Sequence, residues 1–151
     1  MTTFEKIVML FVKDRDDELS IVFTDEGNEY DYVQSCIYFN PHDLEDCGFL
    51  RHLREVHGFT DCDKYSLLLW TLLHEIGHHF TIDYCEEDEM ETRMLCAMCS
   101  KEEAEKSTHI QDLYFNLESE WEATEWAIDF VSTNPILCET LSKKLEETLD
   151  K

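Results

Sequence analysis

The stretch that most constrains this chain is LLLWTLLHEIGHHF, residues 67–80, an apolar segment that contains the pattern H-E-x-x-H. It predicts a helix on which His74 and His78, four residues apart, share one face. Two imidazoles at this spacing can bind one tetrahedral Zn²⁺ at roughly 2.0–2.1 Å each. Glu75 is rotated away from the metal but can still reach a water bound to it, as a general base must. The alternative is an amphipathic helix with a polar end, but buried polar groups need partners, which favours the metal site.

A catalytic zinc site has three protein ligands and one open position, so a third ligand must be found. The predicted helix Glu118–Ser132 contains four glutamates, which helical phase separates into two groups. One group forms an acidic stripe that is expected to be solvated, and its members are Glu118, Glu122, Glu125 and Asp129. Glu120 instead leads an apolar stripe, where a buried carboxylate needs a cation; that stripe is Ala123, Ala127, Phe130 and Val131. Glu120 is therefore the predicted third ligand, with Glu122 and, more weakly, His109 as alternatives.

Other polar side chains near these helices are given supporting roles or none. Thr124 lies one turn after Glu120, and it either orients a ligand histidine or bonds its own backbone. His79 is rotated by about 100° from His78 and is predicted not to bind the metal. The donors that could stabilise a developing oxyanion are Tyr65, Tyr84 and His109. The histidines expected at the surface or at helix ends are His42, His52 and His57.

The charge balance limits the class of partner. The chain has 12 Lys and Arg against 35 Asp and Glu, which gives a formal charge of −23 at pH 7. Phosphates and anionic lipids repel such a surface, so we expect no direct binding to nucleic acid or to an anionic membrane. No apolar run approaches the roughly 18 residues of a membrane span. The charge favours a basic partner such as a DNA-binding protein. It is also compatible with a surface that imitates DNA, or with a surface that only confers solubility.

Cysteine content and the N-terminal residues indicate a reducing compartment. The chain has seven cysteines, an odd number, and its first residues, MTTFEK, lack the basic region and apolar core of a secretory signal. We therefore expect a cytoplasmic protein with reduced thiols. Cys96 and Cys99 form a C-x-x-C pattern in a helix predicted from about Glu89 to Lys106. We interpret this pair as core thiols on one helical face.

Length and periodicity predict one α+β domain over residues 1–151, with a small antiparallel sheet of about three strands packed on a mainly helical body. The predicted strands are Lys6–Val12, for which a short helix is the alternative, Leu19–Phe23 and Tyr32–Phe39. Short connections favour antiparallel pairing of these strands. The predicted helices not yet named are 43–57, a short helix at 107–115, and Ile136–Leu149. If Gln34–Phe39 is an exposed edge strand, an extended substrate could pair with it.

Three of these segments together resemble one known family. They are the strand ending IYFNP at 37–41, the helix ending HEIGH at 74–78 and the helical segment EWEATEWA at 120–127. The combination is similar to the ImmA/IrrE family of small zinc metallopeptidases, gluzincin-like domains common in phages and mobile elements, over roughly Ile37–Pro135. The resemblance implies a zincin-like fold and Glu75 as the catalytic acid and base. It also implies that the zinc ligands are His74, His78 and Glu120.

The resemblance further implies a substrate class. Family members often cleave or disable helix-turn-helix repressors, and such a repressor would here be a separate protein. The expected function is hydrolysis of a peptide bond in a DNA-binding regulator. The alternative is an acidic, non-proteolytic binding protein, similar to an anti-repressor or a DNA mimic, with a structural zinc site. The chain has Thr124 where the family usually has Asn or Asp, and FVSTNP at 130–135 where it usually has a Leu-Leu-Met-Pro-like ending.

Overall fold

The computed structural model describes residues 1–44, 48–81 and 108–149 of the chain. Helix α1 (Thr3–Arg15) precedes three short strands, β1 (Ser20–Phe23), β2 (Glu29–Asp31) and β3 (Cys36–Phe39). Helix α2 (Phe49–Glu55), a 3₁₀ turn (Thr60–Lys64) and helix α3 (Leu67–Thr81) follow. The last described elements are α4 (Thr108–Phe115), α5 (Glu118–Thr133) and α6 (Pro135–Thr148). A mainly helical α+β fold is thus confirmed, whereas the predicted helix over Glu89–Lys106 and the Cys96/Cys99 pair lie outside the described residues.

The sheet is mixed, so the prediction of a purely antiparallel sheet is wrong. Its strand order is β1-β3-β2: β3 pairs with β1 in parallel and with β2 in antiparallel orientation. Burial agrees with this order, because the central strand β3 has three of its four residues buried whereas β1 and β2 have none. The condition for substrate pairing along Gln34–Phe39 is not met, because β3 lies between the other two strands.

The segment predicted as a first strand, Lys6–Val12, belongs to helix α1. The residues that α1 buries have helical spacing, and they are Phe4, Val8, Phe11 and Val12. Leu10 lies on the opposite face and is 71% exposed. The Thr2 hydroxyl accepts a hydrogen bond from the Glu5 amide at 3.1 Å and caps the helix start. Nearly every residue of this run is apolar, so its sequence fits the period of a strand as well as that of a helix. The structure has the short helix that was named as the alternative.

Helix α3 is the centre of the packing. Ten of its fifteen residues are buried, from Leu68 to His78 with one interruption at Thr71. A helix that is apolar nearly all round must be enclosed by other elements, and α3 contacts β2, β3, α5 and α6. No helix within the described residues combines the length and apolar character needed to cross a membrane.

The contact between α3 and α5 depends on a glycine. A Cβ atom added to Gly77 would lie 2.5 Å from the carbonyl oxygen of Ala123 on α5. Ala123 and Ala127 are both fully buried. Small residues on both helices therefore bring the two backbones close together, and the I-G pair inside HEIGH fixes the distance between α3 and the helix that carries Glu120.

Replacing Gly77 with alanine is expected to lower the free energy of unfolding by roughly 1–3 kcal/mol, the usual cost of overpacking a tight core. Within an unobstructed helix the same change would stabilise by about 1 kcal/mol, so the sign of the effect is diagnostic. Urea denaturation of the wild type and of Gly77→Ala measures it. Stabilisation by the variant would show that the helices are not in close backbone contact.

His52 was expected at a helix end or at the surface, but it is fully buried. Its ring stacks on Phe115 with 4.9 Å between ring centres and contacts the His57 ring, also at 4.9 Å. Neither ring nitrogen of His52 has a hydrogen-bond partner within the described parts of the chain. Burial, together with the neighbouring His57, lowers the pKa of His52 from 6.5 to about 4. The folded protein therefore holds this imidazole neutral.

This buried imidazole predicts a loss of stability in mild acid. In the unfolded chain the His52 imidazole takes up a proton below about pH 6.5, whereas in the folded protein it does so only near pH 4. The free energy of unfolding should therefore fall through that interval by about 3 kcal/mol in total. In His52→Phe the ring stack on Phe115 is kept and this component of the pH dependence disappears. Urea denaturation of both proteins between pH 7 and pH 4 tests this, and parallel stability curves would contradict it.

Candidate metal centre

The first two ligands of the centre lie on successive turns of α3. His74 and His78 are 9% and 6% exposed, and their rings are 4.8 Å apart, nearly perpendicular at 85°. The Phe49 ring of α2 packs edge-on to the His74 ring at 5.4 Å. Two imidazoles are thus held side by side in an apolar surrounding, with both Nε2 atoms directed to one point.

Helix α5 supplies the carboxylate at that point. Glu120 is 1% exposed, and its Oε2 lies 2.7 Å from His74 Nε2 and 2.9 Å from His78 Nε2. The three ligand atoms fall within 4.8 Å of one another, so this buried triad could hold a metal ion. The alternative ligand Glu122 is exposed, which agrees with the separation of the glutamates by helical phase. The side chain of His109 lies outside the described residues.

The Glu120 carboxylate is ionised in spite of its burial. Removal from water raises the pKa of a carboxyl group. At Glu120 the charges of His78 and His74, with their hydrogen bonds, outweigh this effect and hold the pKa well below its ordinary value. The site therefore presents an anion flanked by two imidazoles, and binding of a cation would replace the protons that they share.

Thr124 does both things that were considered for it. Its hydroxyl donates to the Glu120 carbonyl at 2.8 Å, and its oxygen lies 3.3 Å from His74 Nδ1. Because the hydroxyl proton is used on the carbonyl, the oxygen can only accept, so His74 Nδ1 carries a proton. A metal would therefore bind at Nε2, in place of the proton that this nitrogen shares with Glu120. The Nδ1 of His78 has no such partner among the described residues.

Replacing Thr124 with valine should weaken metal binding by roughly 10–100-fold, the usual effect of losing a group that orients a histidine ligand. Valine keeps the shape of threonine but cannot accept the His74 Nδ1 proton. Thr124→Ser keeps the hydroxyl and is expected to bind metal as the wild type does. Competition with a chromophoric chelator measures both affinities. Equal weakening in the two variants would mean that packing, and not the hydroxyl, supports the site.

The predicted general base is buried on the same helix as the two histidines. Glu75 is 7% exposed and follows His74 directly in α3. A carboxylate next to a metal ligand, in a region of low dielectric, interacts more strongly with developing charge than it would in water. The structure thus brings all four sequence-predicted site residues into one buried region of α3 and α5.

His79 points elsewhere, and it makes a connection that sequence reasoning missed. Its Nδ1 lies 2.7 Å from the Tyr30 hydroxyl on β2, and its Nε2 lies 2.7 Å from Asp16 at the end of α1. The hydrogen bond from His79 lowers the pKa of Asp16. These contacts tie α3 to the sheet and to α1 beside the metal centre. They join residues far apart in sequence, so no local pattern could have signalled them.

Of the three predicted oxyanion donors, only Tyr65 has a described side chain, and no contact joins it to the centre. Tyr65 is buried and packs its ring against Trp70 at 6.0 Å. It precedes the first residue of α3, whereas His74 lies in the middle of that helix. Tyr84 lies outside the described residues, as does the side chain of His109.

No protein-family model, no curated protein and no solved structure matches this chain, so its function has to be inferred from the geometry of its own residues.

Proposed function

We propose that the protein is a zinc metallopeptidase of the ImmA/IrrE type that hydrolyses a peptide bond in a basic DNA-binding regulator. The observation that carries the proposal is the convergence of His74 Nε2, His78 Nε2 and Glu120 Oε2 at one buried point. Glu75, the next residue after His74, is also buried. Two imidazoles and one carboxylate from two helices are a donor set of catalytic zinc sites, in which the fourth position stays open to water or substrate.

In this reaction the chain's own residues orient the reacting groups and transfer the protons. His74, His78 and Glu120 would hold the zinc, which when bound would lower the pKa of a coordinated water and polarise the scissile carbonyl. Glu75 accepts a proton from the attacking water and donates it to the leaving amine. Thr124 fixes the tautomer of His74, so that the Nε2 lone pair remains on the metal side.

The charge of the chain supports a basic substrate. With 35 acidic residues against 12 basic ones, the protein attracts cationic surfaces and repels nucleic acid. A DNA-binding regulator displays a cationic surface, and attraction over that surface would speed the encounter, most strongly at low salt.

A second candidate function is favoured by the same charge. An acidic protein with a structural zinc could inhibit a regulator by covering its DNA-binding face without cutting it. In that case the partner is recovered intact, and inhibition does not depend on Glu75.

The test is incubation of the zinc-loaded protein with helix-turn-helix regulators encoded beside it, followed by mass spectrometry of the products. We expect two fragments from one regulator, none after treatment with a chelator, and fragments again when zinc is restored. A regulator that is bound tightly and inhibited but stays intact under all three conditions would reject the peptidase and support the binding protein.

A further inference from the structure

An aromatic strip continues from the metal-centre helices towards the surface. It consists of Phe80 on α3 and Trp126 and Phe130 on α5. The Phe80 and Trp126 rings stack at 5.3 Å and 9°, and the Trp126 and Phe130 rings at 5.4 Å and 17°. Phe80 is 44% exposed. The Trp126 and Phe130 rings are partly buried, so the strip leads from the packed interior to an exposed aromatic ring.

One cation of the chain already uses this strip. The guanidinium carbon of Arg15 lies 5.1 Å from the centre of the Phe130 ring and 4.7 Å from that of Phe11. These distances are within the range of cation–π attraction, which favours arginine because its flat guanidinium can lie on an aromatic face. The strip is thus chemically suited to guanidinium groups.

Beside the strip is a pocket, the Asp129 pocket, of about 160 Å³. Its lining residues are Trp126, Asp129, Phe130, Thr133 and Asn134. This volume is below the roughly 300 Å³ at which sites for drug-sized ligands begin, and it suits the head group of one side chain.

The pocket offers several acceptor atoms. The Thr133 hydroxyl donates to the Asp129 carbonyl at 2.8 Å, which leaves its oxygen lone pairs. The Asn134 side-chain nitrogen donates to the Phe130 carbonyl at 3.1 Å, and the side-chain oxygen is a further acceptor. Asp129 makes no ion pair with any cationic side chain of the described residues. A guanidinium, with five N–H donors and no acceptor, matches such a set.

We propose that the Asp129 pocket binds an arginine side chain of a basic polypeptide segment, with its guanidinium stacked on Trp126 and bonded to the Asp129 carboxylate. Trp126 follows Glu120 by six residues, about 9 Å along the helix. The identification of that segment as substrate rests on the proposed function, whereas the binding of arginine does not.

The experiment compares two blocked peptides of equal charge, tetra-arginine and tetralysine, by fluorescence anisotropy on the Glu75→Gln protein, so that no turnover occurs. We expect tetra-arginine to bind about fivefold more tightly. The preference should fall to about onefold in Asp129→Asn and in Trp126→Leu. The matched control is Glu146→Gln, which removes one exposed carboxylate on α6 and should keep the preference. Circular dichroism verifies that each variant folds.

The outcomes separate local recognition from bulk charge. Equal affinity for the two peptides overturns the proposal, and so does an equal loss of tetra-arginine binding in Asp129→Asn and Glu146→Gln. If the wild type hydrolyses its substrate but shows no preference for arginine, the proposed arginine site is rejected and the proposed peptidase is not. Arginine preference without hydrolysis of any regulator overturns the proposed peptidase alone.

Discussion

Replacing Glu75 with glutamine is expected to reduce hydrolysis of the substrate by about 10²–10⁴-fold, the usual contribution of a general acid and base. Glutamine has nearly the shape of glutamate but cannot accept the proton of the attacking water. Glu75 is not a member of the converging triad, so the zinc content of the variant should equal that of the wild type. Mass spectrometry of the products and elemental analysis of the protein measure the two quantities.

The matched control is Glu122→Gln, the same chemical change at an exposed position of α5. It should leave hydrolysis and zinc content unchanged. Full activity in Glu75→Gln would reject the role of Glu75 as general base. Inhibition of a regulator that persists in Glu75→Gln, with the regulator intact, would instead support the binding protein.

Replacing Glu120 with glutamine is expected to weaken metal binding by more than about 100-fold, beyond the effect of losing a group that only orients a ligand. The variant removes the only anionic donor of the triad, whose oxygen lies 2.7 and 2.9 Å from the two imidazole nitrogens. An amide oxygen neutralises none of the charge of a divalent cation. Hydrolysis should disappear together with the metal, in contrast to Glu75→Gln.

Competition with a chromophoric chelator measures this affinity. Glu122→Gln is again the control, because Glu122 was the alternative ligand and lies two residues away on the same helix. Loss of metal from Glu122→Gln and its retention in Glu120→Gln would reverse the assignment of the third ligand.

The centre was readable from sequence because it depends on helical phase. His74 and His78 lie on one face by spacing alone, and Glu120 lies two residues from Glu118 and from Glu122, about 200° away around the helix. The interaction that orients His74 was readable for the same reason, since Thr124 lies one turn from Glu120. The spacing of residues along a helix is a local property, so it can be predicted from the sequence alone.

The features that were mispredicted depend on contacts between distant segments. The order of β1, β2 and β3 agrees with how much of each strand is buried, which the strands' own residues do not show. The run Lys6–Val12 is apolar at nearly every position, so the periods of a helix and a strand fit it equally well. The buried position of His52 and the connection from Tyr30 through His79 to Asp16 likewise exist only once separate elements have packed together.

The residues of the candidate metal centre come from helices that are far apart along the chain, since 46 residues separate His74 from Glu120 and 42 separate His78 from it. A bound ion would join these positions as a cross-link does, and closing a long loop removes conformational freedom chiefly from the unfolded chain. An ion that binds only the folded chain, at 100 times its dissociation constant, adds about 2.7 kcal/mol to the free energy of unfolding. The temperature at which this protein unfolds should therefore rise with the logarithm of the free metal concentration, which makes thermal unfolding a direct measure of metal affinity.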